Sequence, residues 1–324
     1  MGALGVAVGV ACASFGADDP PMTTEGGTTE AATPDDGGRD AITTDATPRC
    51  DPESAFGTPT PYGVLAGTET SYAGAWKTAE GVFVGAADTN GINIRFGRHL
   101  PDGGVEKPAP IAIVGDTFTD ALNPTVTADG KTLFFSAFTA NPGQIPGDAG
   151  PARSLFRAAR SSAPNITFTD AKAIAVSMGV DVFTPTVRGT ILFYAARNPN
   201  AIFDLYQTRI DDELAEATAI TSLNGAGSSE SGAVLSADGL HVYFATSRPG
   251  DATKGREDIW IASRKTTTSE WSDLRSLPEL SSAGYDSPSW VSDDECTILF
   301  VSNRRQANLA TTFWDVYVAE RTRQ

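Results

Sequence analysis

One phrase returns again and again along this chain, and its period restricts the available folds more than any other feature. It reads NPTVTADGKTLFFSAF at 123–138, TPTVRGTILFYAAR at 184–197, SGAVLSADGLHVYFATSR at 231–248 and SPSWVSDDECTILFVSNR at 287–304. A degenerate copy, GAWKTAEGVFVGAA, stands at 74–87. Aligned on Pro124, Pro185, Gly232 and Pro288, the copies are 61, 47 and 56 residues apart, a spacing that belongs to repeat architectures.

Each copy parses as a β-hairpin. A short strand meets a tight polar turn, Ala128-Asp129-Gly130-Lys131 or Ala237-Asp238-Gly239, and an apolar strand rich in aromatic and β-branched residues follows. A third strand comes after a variable loop, at 92–100, 154–160, 203–210, 258–264 and 314–321, and a weaker fourth at 168–178, 215–223 and 271–280. Four antiparallel strands repeated at this period make a propeller blade. The spacing therefore predicts an all-β chain, a single five-bladed β-propeller over 55–324. The last copy ends with only three strands, and AFGTPTPYGVLAG at 55–67 has the character of the missing fourth. Strand 56–66 is expected to lie beside 313–320 and close the ring, which removes the sheet edges that invite aggregation.

The pattern Pro-x-x-Ser-x-Asp-Gly-Lys, then Phe-x-Ser-x-Arg, then Asp-Ile-Tyr/Trp resembles the TolB-type, WD-like propeller repeat of bacterial envelope proteins. The resemblance covers roughly residues 70–321. It is fullest at 231–264, where Ser236, Asp238, Gly239, Ser247, Arg248, Asp258 and Trp260 are all in place. The copy at 184–209 has Arg188-Gly189 instead of an Asp-Gly turn, and the first copy keeps only Glu80-Gly81. The resemblance implies a binding or scaffold module whose partner is a protein or is associated with peptidoglycan. TolB carries an additional N-terminal α/β domain for which residues 1–54 are unsuited, so a Tol–Pal role is not carried over.

Ahead of the repeats, residues 2–11 form an uncharged apolar run, too short to span a bilayer, followed at once by Cys12. This order resembles a bacterial lipoprotein signal over 1–12, with Cys12 as the lipidated residue; plain secretion and a buried strand are the other readings. Between 13 and 49, eight carboxylates (Asp18, Asp19, Glu25, Glu30, Asp35, Asp36, Asp40 and Asp45) face two arginines, Arg39 and Arg49. Such a stretch has too little to bury to offset its conformational entropy. Residues 13–54 are therefore expected to be a disordered acidic linker, either a stalk or filler. The expected setting is the cell envelope, periplasmic or surface-exposed, with contact to the membrane through the lipid anchor alone.

A net charge of −16 argues against nucleic-acid partners. Three cysteines without a CxxC pair and two histidines far apart, His99 and His241, argue against zinc sites of the usual kind. No metal or cofactor is expected, and the chain is expected to be monomeric. With Cys12 lipidated, Cys50 and Cys296 are the remaining thiols. The latch would bring Cys50 to the face that carries the Asp293-Asp294-Glu295 turn, so a Cys50–Cys296 disulfide is expected.

The arginine of each Ser-x-Arg-like phrase (Arg197, Arg248, Arg304) and the aspartate of each third strand (Asp204, Asp258, Asp315) recur with the repeat, and a structural pairing between them is expected. Carboxylates also stand just before the inner strands, at Asp120, Asp181, Glu230 and Asp286. They are the candidate partner-binding residues, able to ring the channel mouth and attract a cationic group; solvated loop acids are the plainer reading. No catalytic residue is assigned. A carbohydrate-active propeller, lectin or glycoside hydrolase, is the alternative function. Inner strands nearly free of acids speak against hydrolysis, which needs paired carboxyl groups. Tyr72, Trp76, Tyr285 and Trp290 could stack on sugar rings or simply fill the core.

Overall fold

The computed structural model describes residues 49–323 apart from the short segments 66–70, 89–90, 141–150, 163–164, 175–179, 199–201, 212–215, 251–255 and 305–313. Expectations placed on residues 1–48, lipidation of Cys12 among them, fall outside the described residues. No helix among the described residues is long and apolar enough to cross a membrane.

The five sequence copies fold as five antiparallel sheets, each led by an inner strand. Blade 1 runs through Ser71–Lys77, Gly81–Asp88, Gly91–Arg98 and Ala109–Pro110. Blade 2 uses Phe118–Val126, Thr132–Thr139, Ser154–Arg160 and Thr167–Ile174, and blade 3 Val180–Arg188, Ile191–Arg197, Phe203–Arg209 and Thr218–Ala219. Blade 4 follows with Glu230–Leu235, His241–Thr246, Asp258–Ser263 and Ser272–Ser276. Blade 5 contributes Asp286–Val291, Thr297–Ser302 and Asp315–Glu320. Inner strands of consecutive blades pack together, and that of blade 5 returns to that of blade 1. The result is a five-bladed propeller.

Blade 5 takes its outer strand from the N-terminal side. Thr60–Pro61 pairs antiparallel with Asp315–Glu320, Thr60 opposite Val318 and Pro61 opposite Tyr317. Blade 2 carries an addition that the repeat does not announce: Ala112–Gly115, in the connection from blade 1, pairs parallel to its outer strand as a fifth strand.

Every inner strand is interrupted by a bulge where it faces the axis, seen as register shifts at Tyr72/Ala75, Leu122/Thr125, Phe183/Thr186, Ser231/Val234 and Pro288/Trp290. Blades 1 to 4 place a residue of positive φ there: Gly74 (80°), Asn123 (52°), Thr184 (45°) and Gly232 (57°). Glycine fits such a site at no steric cost, and at Gly232 a Cβ would run into Ser287 Oγ. Thr184 adopts the same conformation against the preference of a β-branched residue, and its Oγ1 accepts the Gly232 amide at 3.0 Å. Thr125 Oγ1 accepts the Val187 amide at 3.1 Å, and Trp76 Nε1 donates to Val126 O at 3.0 Å. The bulges and these blade-to-blade bonds draw the inner strands together until the axial space between them is only about 30 Å³. It is a packed axis rather than a pore.

Between blades the core is aromatic. Phe83, Phe96, Phe135, Phe156 and Phe168 join blades 1 and 2, with Phe135 and Phe156 stacked at 5.2 Å between centroids.

Residues 49–54, expected in the linker, pack on blades 4 and 5. Arg321, 4% exposed, organises them. Its guanidinium donates to Ser54 O (2.8 Å), Pro52 O (3.0 Å), Glu295 O (2.8 Å) and Tyr243 Oη (2.9 Å), and it lies 3.8 Å from the Phe56 ring centroid. Cys50 and Cys296 are joined in a disulfide with Cα atoms 5.0 Å apart, and the Cys50 amide donates to Asp294 O at 2.9 Å.

Candidate functional site at the axial mouth

On the face that carries the loops between second and third strands, the recurrent arginines are bound to acids in a repeated arrangement. Glu230 is fully buried and takes Arg248 Nη2 at 3.2 Å, Ser228 Oγ at 2.6 Å and Thr246 Oγ1 at 2.7 Å. Asp286, equally buried, takes Arg304 Nη2 at 2.7 Å, and Ser282 through its amide (2.6 Å) and hydroxyl (2.7 Å). In blade 3, Asp181 takes Arg197 Nε and the Arg153 amide, both at 3.0 Å. The same Nη2 of Arg248 and of Arg304 also donates to Leu223 O and Leu280 O, fastening the incoming inter-blade segment.

The repeat arginines do bridge strands, and the acids they reach here head the inner strands. Asp181, Glu230 and Asp286 are not a ring of open carboxylates at a channel mouth, because buried charges persist only when paired and hydrogen-bonded. Asp120 differs from the other three in being half-buried; like Asp181 it adopts a positive φ (56° and 55°) and acts on the Arg153 guanidinium through its charge.

The opposite face, where the turns between first and second strands converge, holds a bowl of about 550 Å³, a size suited to a small ligand. Turns of blades 1, 2, 3 and 5 form it. Trp76, Phe83, Val126, Val187 and Trp290 give it apolar walls, and Lys77, Glu80, Asp129, Arg160, Arg188 and Asp293 supply charge around them. Arg160 grips Glu80 with two bonds of 2.7 and 2.8 Å. Arg188 of blade 3 reaches Asp293 of blade 5 at 2.7 Å. Those blades are separated by blade 4, so this ion pair spans the mouth.

Three carboxylates of the bowl, Glu80, Asp129 and Asp294, are held below their ordinary pKa. The hydrogen bonds from Arg160 bring Glu80 below its ordinary pKa despite partial burial. Asp129 is lowered by the Thr127 hydroxyl at 2.7 Å and the Lys131 amide at 3.0 Å. Burial would raise Asp294, but the Ser292 hydroxyl, the Cys296 amide and the charge of Arg323 bring it down. General acid catalysis requires the opposite shift.

Beside the bowl, Asp238, His241 and Glu295 place potential ligand atoms within 4.8 Å of one another. The Arg49 guanidinium bridges Asp238 and Glu295 there, so the chain itself brings the positive charge.

The four aromatics part company. Tyr72 and Trp76 are 5% and 7% exposed, whereas Trp290 is half-buried against the blade 1–2 core and lines the bowl. Tyr285 lies on the loop face, packed on Trp314 and near Arg256. The bowl went unread in the sequence because its charged residues belong to turns taken one at a time as hairpin punctuation.

Solved structures with the same arrangement include Zg3597, a family 117 glycoside hydrolase from Zobellia galactanivorans, at a TM-score of 0.52 and 12% identity over 82% of this chain and 90% of that one. A thermostable family-43 glycoside hydrolase matches at 0.51 and 12% over 82% and 91%. TolB from Acinetobacter baumannii matches at 0.48 and 14%, over 80% of this chain and 56% of that protein's length. The likeness is one of fold. No protein-family model and no curated protein sequence matches the chain.

Proposed function

We propose that this protein is an envelope-anchored propeller that serves as a binding or scaffold module and engages a protein or peptidoglycan-associated partner at the turn-face bowl. The observation that carries this reading is the bowl itself. It is a ligand-sized, aromatic-walled depression on a propeller whose axis is packed shut and whose opposite mouth is occupied by buried ion pairs. Anchorage through Cys12, with residues 13–48 as the connecting segment, belongs to the same proposal, as does a monomeric propeller.

A carbohydrate ligand is the second reading, favoured by Trp76 and Trp290 side by side in the bowl. Within it, recognition is preferred to hydrolysis, because the carboxyl groups of the bowl with shifted pKa values are shifted downward.

The test is capture of partners by the full-length protein from solubilised envelope, comparing wild type with Trp290→Ala and Asp293→Ala. Loss of the same partner in both variants, with unchanged melting, supports the bowl. Identical capture by all three proteins sinks it. In parallel, Cys12→Ala should move the protein from the membrane to the soluble fraction; a wild type that is already soluble and unacylated overturns the anchor.

A further inference from the structure

Three residues past each bulge, the inner strand places a side chain opposite a buried apolar partner across the hairpin. In blades 2 to 5 that residue is Val126, Val187, Leu235 or Val291, opposite Leu133, Leu192, Val242 or Ile298. In blade 1 it is Lys77, opposite Val82. A lysine thus stands where the other four blades place an aliphatic residue, at the wall of the bowl.

Its surroundings sharpen the anomaly. Lys77 Nζ lies 5.5 Å from the centroid of the Trp290 ring. Among the described residues it has no ion-pair partner, while Arg160 is held by Glu80 and Arg188 by Asp293. Of the acids around it, Glu80, Asp293 and Asp294 are matched to arginines, and Asp129 to the Thr127 hydroxyl and Lys131. The bowl therefore offers a ligand one uncommitted positive charge beside two indole rings. Trp76 and Trp290 occupy the same repeat position in neighbouring blades, two residues past the bulge.

The geometry points to a carboxylate-bearing sugar as the ligand of this bowl, with Lys77 reading the carboxylate and Trp290, backed by the buried Trp76, packing against a pyranose C–H face. A sugar presents an apolar face and a hydroxylated edge together, and the bowl pairs indole walls with the hydroxyl and backbone groups of the Thr78, Thr127 and Ser292 turns. Its volume accommodates a short oligosaccharide rather than a polymer buried along its length. This inference rests on the bowl being the ligand site and names what it takes.

The experiment is calorimetric titration of the full-length protein with a galacturonate trimer and with the matching galactose trimer, which lacks only the carboxylates. Wild type should bind the acidic trimer at least tenfold more tightly. Lys77→Met should remove that preference, Trp290→Ala should abolish binding of both, and Lys77→Arg should retain most of the preference. Thermal melting of each variant checks that the fold is intact. Equal affinity for the two trimers, an unchanged Lys77→Met, or no binding of the acidic trimer overturns the inference. In any of those cases, a captured partner that still depends on Trp290 leaves the bowl as a binding site. A partner insensitive to Trp290→Ala and Asp293→Ala removes the site itself.

Discussion

Arg188 and Asp293 meet at 2.7 Å from blades that do not touch along the ring, forming a strut over the mouth of the bowl. Asp293 is 82% exposed, and an ion pair so open to solvent contributes little to stability, about 0–1 kcal/mol. Asp293→Ala should melt within a degree or two of wild type, measured by circular dichroism, even though it removes a charged group from the bowl. A large loss of stability would show that the strut braces the ring.

The buried pairs on the other face should behave in the opposite way. Glu230→Gln leaves Arg248 without its counter-charge and Ser228 and Thr246 without an ionised acceptor, a defect worth about 3 kcal/mol or more. Asp120→Asn, at the corresponding place in blade 2, should cost no more than about 0.5 kcal/mol. Urea unfolding of the two variants decides whether these acids are structural. A neutral Glu230→Gln would reopen them as a functional ring.

Reading this chain from its residues reached the blades and the seam because both depend on local signals: alternation, turn chemistry, and a missing strand with one available substitute. It failed where geometry is set by neighbours. Asn123 and Thr184 precede prolines, which bias them toward extended backbone, yet both adopt positive φ because the axis has no room for a straight strand. The partner of each repeat arginine was equally undetermined, since two acids recur with the same period. Ala112–Gly115 is too short to declare itself a strand. Lys77 was visible all along as the one charged residue in an aliphatic column, but only once the degenerate first copy could be aligned through its bulge at Gly74.

The Cys50–Cys296 bond closes a loop spanning 246 residues. A loop of that length lies at the upper end of the roughly 2–5 kcal/mol that native disulfides contribute. Reductant, or Cys296→Ala, should lower the melting temperature clearly without dispersing the blades. Non-reducing peptide mapping of protein isolated from its native cells should recover one linked pair. Two free thiols in that material would exclude the bond.

Two carboxyl groups predict pH limbs of opposite sign. Burial pushes Asp315 up to about 6 from an ordinary 3.8, so its share of stability is complete below 3.8 and lost as pH rises through about 6. Burial acts in the same sense on Asp238, but bonds from Arg49, the Leu240 amide and the Ser236 hydroxyl overcome it and hold that group at about 2. Its share is complete above 3.8 and lost as pH falls through about 2. Melting curves across this range should therefore flatten above pH 4 in Asp315→Asn. Arg49→Ala should move the acid limb alone. A single variant that shifts both limbs would contradict the assignment.

The disulfide also determines where a pull on the N-terminal side would be felt. Cys50 lies ahead of the seam strand, and Cys296 immediately precedes Thr297–Ser302, the second strand of blade 5, paired along its length with Asp315–Glu320. Tension entering at Arg49 runs through the sulfurs into that continuous ladder and bypasses Thr60–Pro61, which pairs with Val318 and Tyr317 and is flanked by the bonds Gly57 N to Glu320 O and Tyr62 N to Val316 O. A pull at Arg49 would thus be borne by the blade 5 ladder, and reducing one covalent bond would pass it to the short Thr60–Pro61 strand.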